Sequence, residues 1–192
     1  MGHAIDFGGM EEKLFLLQQL SCASQVNAEW KSKCLTSQKE ENWQFSELEN
    51  ELDQDFAFTE TLVSNYMIDI AVKTRIFQDY FKENHFECGF SQLEKSAIEY
   101  VGGDIGSVIV GDFALTLRES CNKIIHAKKF KLLKSHISPS NSFWSGVCEL
   151  QGDFNKNEWQ VNINVKEWAA SLWHYHENLA EERESFWADN ES

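Results

Sequence analysis

Apolar side chains recur every three or four residues over most of this chain, and the period drops to two only toward its C-terminal end. Val63, Tyr66, Met67, Ile70, Phe77 and Phe81 share one stripe between Thr59 and Lys82. Asp69, Lys73, Arg75 and Asp79 decorate the other side, so the segment predicts a long amphipathic helix. Leu14, Leu17 and Gln18 place a first helix over Met10 to Leu20. The polar stretch from Ser24 to Gln54, with Trp30, Trp43, Phe45 and Leu48 scattered through it, reads as a loop holding short helical pieces. Ser91 followed by Glu94 is a capping-box pattern and opens a shorter helix that Gly102 and Gly103 close. Val110, Phe113, Ala114, Leu117, Cys121, Ile124 and Ile125 give one apolar face to a helix over Ile105 to Ala127. Trp168, Leu172, Tyr175, His176 and Leu179 do the same for a final helix from Lys166 to Phe186.

Before that last helix, Trp159, Val161, Ile163 and Val165 alternate with Gln160, Asn162 and Asn164, the signature of a half-buried strand. Phe130 to Leu133 and Trp144 to Leu150 read as two more strands, and Gly152 to Asn157 as a hairpin loop. The expected fold is mainly α: a bundle of four or five helices with a small three-stranded antiparallel β-meander, about residues 129–165, before the C-terminal helix. Residues 10–187 are expected to form one helical domain, between a disordered leader (1–9) and an acidic tail (188–192).

The formal net charge of -14 sets the chain as a whole against nucleic acid and anionic membranes, so any RNA contact needs a local basic patch. One exists: Arg118, Lys123, Lys128, Lys129, Lys131 and Lys134 face a single acid, Glu119, although a solvated basic strand edge accounts for it too. No apolar run is long enough to span a bilayer and no signal peptide is evident. The five cysteines are irregularly spaced and include no CxxC pair, which suggests reduced thiols in a cytoplasmic protein.

Candidate chemistry is concentrated in Leu117-Arg-Glu-Ser-Cys-Asn-Lys-Ile-Ile-His-Ala127. Arg118, Asn122 and His126 are successive i, i+4 neighbours on a helix, forming a polar strip beside the apolar face. Histidine can serve as general acid or base near neutral pH, an amide can orient a phosphate, and Arg118 with Lys123 can stabilise a charged phosphorane. That set suits metal-free cleavage of RNA through its own 2′-hydroxyl. Equally, His126 can simply shield a helix C-terminus, with Asn122 an ordinary surface amide.

The run Cys121-Asn-Lys-Ile-Ile-His126 resembles the signature region of HEPN-superfamily domains. These are helical bundles, often RNases of toxin–antitoxin and antiphage defence systems. Their motif is an arginine, commonly followed by Asn, Asp or His, then a histidine four to six residues on. Asn122 and His126 match its polar and histidine positions, and the helix holding Ile70-Ala-Val-Lys-Thr-Arg75 resembles the preceding core helix. Cys121 stands where the family has its arginine, and a thiol cannot replace a guanidinium. The resemblance covers Leu62 to Ala127. It implies a metal-independent endoribonuclease or a degenerate relative, with catalytic His126, Asn122 and Arg118. Lys123, Lys128, Lys129 and Lys131 would hold the RNA, no metal or other cofactor is needed, and two copies would pair as a homodimer. The alternative is a non-catalytic, acidic protein-interaction module bound to a partner protein. His174 and His176 diverge on a helix, His85 and Cys88 offer only half a metal site, and Trp144, Trp159, Trp168 and Trp173 read as core.

Overall fold

Neither glycine nor proline interrupts the chain from Met10 to Cys88, so nothing local stops a helix there. The computed structural model describes residues 6–37, 42–83, 90–138 and 141–190. Helix α1 runs Phe7–Ser37 and α2 runs Asn42–Glu83. The loop expected over Ser24 to Gln54 is therefore helical on both sides of residues 38–41, which lie outside the described residues. Long-range contacts hold this polar stretch in place: Lys31, only 6% exposed, pairs with Asp55 across the two helices. Asn141 donates to the carbonyl of Ala28 at 2.9 Å. Of the expected leader, Asp6 caps α1 by accepting from the amide of Gly9 at 2.9 Å, and Phe7 to Gly9 already belong to that helix.

Helix α3 spans Phe90–Tyr100. Its expected capping box is not used: Ser91 lies in the first turn, and the Glu94 carboxylate turns to another helix. The largest correction concerns the helix expected over Ile105 to Ala127. Its first part is strand β1, Gly106–Val110, and only Leu117–His126 is helix α4. The β-branched run Val108-Ile109-Val110, bracketed by Gly106 and Gly111, favours extended backbone and overrides the helical spacing of the apolar residues. Gly106 (φ 147°) sits so close to β4 that a Cβ would lie 2.1 Å from the carbonyl oxygen of Asn162. Thr116 then caps α4, accepting from the amide of Glu119 at 3.1 Å.

Strands β2 (Lys129–Ser138), β3 (Asn141–Phe154) and β4 (Asn157–Asn164) lie side by side but run longer than expected; most of the hairpin loop expected over Gly152 to Asn157 is strand, and only Asn155 and Lys156, both at positive φ, make the turn. The sheet is nevertheless four-stranded, in the order β1-β4-β3-β2 and antiparallel throughout, because β1 adds to the far edge of β4. Helix α5, Val165–Asn190, follows without a break and reaches into the expected tail. Mainly α remains the class: five helices accompany the sheet among the described residues. Helices α1, α4 and α5 pack on the face of β3, while α2 packs on α1 and α4, and α3 on α5. Leu17, Met67, Cys121, Leu150, Val161, Trp168 and Tyr175 are fully buried between the layers. The outer face is polar, with Ser107, Asn162, Glu149 and Lys131 in register across all four strands. Among the described residues no helix is long and apolar enough to cross a membrane.

Candidate functional site

Helix α4 carries the predicted strip, but each polar member except the last is already engaged. Arg118 donates to Asp79 at 2.7 Å and to Gln78 at 3.4 Å, both on α2. Asn122 donates to Glu119 at 3.0 Å. Lys123 pairs with the other oxygen of Glu119 at 3.0 Å and lies over the rings of Phe113 and Trp159, 4.0 and 4.7 Å from their centroids. His126 is exposed at the C-terminal end. Arg118 and His126 stand about 12 Å apart along the helix axis at 1.5 Å per residue. The structure thus keeps the strip on one side of α4 but does not gather guanidinium, amide and imidazole around one point.

The lysines expected to hold RNA also disperse. Lys128 pairs with Asp153 near the turn of the β3–β4 hairpin. Lys129 and Lys131 stand opposite Gln151 and Glu149 on the outer face of the sheet. Beyond a register shift after Leu132, Lys134 places its ammonium 4.0 Å from the ring centroid of Phe56 on α2. Cys121 is fully buried, and burial pushes its thiol up to about 12, so no thiolate nucleophile is present at neutral pH. His174 stacks on Tyr100 with centroids 4.3 Å apart, whereas His176 turns inward to Thr74 at 3.0 Å. His85 and Cys88 lie outside the described residues. Trp144, Trp159 and Trp168 are core, and Trp173 is half-buried beside it.

Two features escaped the sequence reading. One is a crevice of about 970 Å³ between α2, α3 and the approach to α4, lined by Gln78, Glu94, Ile98, Leu115, Thr116 and Arg118 among others. Within it Glu94 accepts from the Gln78 amide and from the backbone amide of Arg118, both at 3.2 Å. Burial raises the Glu94 carboxyl above its ordinary value, and the Arg118 amide and Thr116 hydroxyl only partly offset this. The carboxylate therefore ties α3 to the N-terminus of α4. No sequence-local signal marks this contact, because its partners are 16 and 24 residues away.

The other feature is the outer side of α2. Phe58, Leu62, Ile68, Val72, Ile76 and Tyr80 are all exposed there, between 38% and 66% of their surface. They recur at helical spacing opposite the buried Val63, Met67 and Ile70, so the outer side of α2 mixes exposed apolar side chains with the charged Asp69, Lys73, Arg75 and Asp79. The signal lay in the sequence as a second stripe, hidden by the stronger first one. No family model, curated protein or solved structure matches the chain.

Proposed function

We propose that this chain is a non-catalytic protein-interaction module that pairs with a second copy of itself across the outer side of α2. The observation that carries this reading is the exposed stripe from Phe58 to Tyr80, about 33 Å long at 1.5 Å per residue. A helix with large apolar side chains exposed on the side away from its core presents a surface that association can cover. The six side chains offer on the order of 500 Å² of apolar surface, near the upper end of what a lone monomer exposes. Two such faces, with their polar rims, reach roughly the 1,200 Å² at which specific interfaces begin. Asp69, Lys73, Arg75 and Asp79 are interspersed with the stripe or border it, two of each sign and bonded within the chain. The face is thus locally neutral on a chain of net charge -14, which suits a second copy better than a strongly charged partner.

On this reading the chain is a degenerate relative of the HEPN domains it resembles. The support is that Cys121 occupies the arginine position in the core while Arg118 and Asn122 are held by Asp79 and Glu119. The test is the molar mass in solution by light scattering across a concentration series, with Val72→Lys and Ile76→Glu beside the wild type. A wild-type dimer that tightens with added salt, as repulsion between two acidic bodies is screened, and that both variants disrupt, is expected. A wild type that stays monomeric at high concentration removes the reading. Cleavage of an RNA pool in EDTA that His126→Ala abolishes would restore the enzyme.

A further inference from the structure

The sheet ends in two very different edges. At one side β2 carries Lys129, Lys131 and Lys134, the kind of charged edge that discourages strand addition. At the other side lies β1, whose sequence Gly-Ser-Val-Ile-Val bears no charge and no proline. Ser107, Ile109 and Val110 are exposed along it.

Its hydrogen-bond phase follows from one bond. The amide of Asn164 donates to the carbonyl of Ile105 at 3.0 Å, so Ile105 and Ser107 direct their backbone groups to β4. Gly106 and Val108 then direct theirs to the open edge. Gly106 confirms the phase, because its amide is taken by the side chain of Asp104 at 3.0 Å. The N–H and C=O of Val108 face outward, while its side chain packs against the core beside Val161.

The charges carried by the β1 segment itself are all acidic, while Lys128 beside Val110 is paired with Asp153 and Lys123 with Glu119. Between Lys95 and Arg118 the chain carries Glu99, Asp104 and Asp112 and no basic residue. Asp104 precedes β1 and Asp112 follows it, both exposed.

We propose that the open edge of β1 receives an extended, basic segment of another protein as a fifth strand, with apolar residues opposite Val108 and Lys or Arg at both ends to meet Asp104 and Asp112. Main-chain bonds to Val108 supply the attachment, and the two carboxylates supply the preference for cations. A second copy does not fit this edge, because it would bring the same acids against Asp104 and Asp112. The site rests on the interaction-module reading but not on pairing through α2.

The experiment uses the full chain and a nonapeptide of alternating Val and Thr with two Lys at each end, followed by fluorescence anisotropy. Three controls accompany it: the peptide with Glu in place of Lys, a backbone N-methylated version, and the protein variants Asp104→Asn and Asp112→Asn. Asn keeps the bond to the Gly106 amide, so folding is preserved. Binding at least tenfold weaker for the Glu and N-methylated peptides is expected. A several-fold loss in each Asn variant should accompany it, with Val72→Lys unchanged. Failure of Val72→Lys to alter the molar mass would count against the α2 pairing alone. No binding of the Lys peptide overturns the proposal, and so does equal binding of the N-methylated peptide, which would mark a diffuse charge attraction without a strand.

Discussion

His176 sits in α5 with 6% of its surface exposed, against Phe77 and within 3.0 Å of the Thr74 hydroxyl. Burial is the cause that lowers its pKa, from an ordinary 6.5 to about 4. Folding therefore favours the neutral ring. The corresponding stability is present above the unfolded-state value and is lost as pH falls from 6.5 toward about 4. At 1.36 kcal/mol per unit the full loss is about 3 kcal/mol, of which about 2 kcal/mol is gone by pH 5. That is a large share of the total for a domain of this size. Replacement by His176→Gln keeps a polar atom for Thr74 but removes the titration. Urea unfolding of both proteins at about pH 7 and about pH 5 isolates the effect, since carboxyl groups common to both cancel in the difference. The wild type should lose about 2 kcal/mol more than the variant over that interval. Equal losses would refute the reasoning, by showing that the ring is hydrated or charged in the folded state.

Two further expectations follow from the same structure. Glu94→Gln removes a carboxylate whose pKa burial raises, so the wild type carries a penalty that grows as pH climbs above 4.5. The variant should gain relative stability between acid and neutral pH by urea titration, and a constant difference would contradict this. Gly106→Ala forces a methyl group onto the Asn162 carbonyl at a backbone angle that disfavours it, and should cost about 2 kcal/mol with exchange of the β1 amides accelerated.

What the sequence disclosed was what repeats locally. The stripe around Met67 and Ile70, the alternation from Trp159 to Val165 and the tryptophan core all stand where the periodicity put them. Ser24 to Gln54 misled because its helices are fixed by distant partners such as Lys31 with Asp55, and polar helix formers look like loop when read alone. Ile105 to Val110 misled because Gly106 and three β-branched residues outweigh a coincidental helical spacing. The α4 strip was legible as geometry, but its neighbours were not. Asp79 reaches Arg118 from 39 residues away, and that ion pair decides whether the guanidinium is free for chemistry.

The position of β1 in the sheet also constrains how the chain is built. Val108 precedes its partner Val161 by about fifty residues, with α4 and two other strands between them. At a synthesis rate of roughly 5–20 residues per second, β1 waits on the order of 3 to 10 s before β4 exists to receive it. During that interval both of its edges are open, and an uncharged Val-Ile-Val strand is exposed to pairing with a neighbouring nascent chain. Pairing with β4 is thus the late event that halves the edge β1 leaves open.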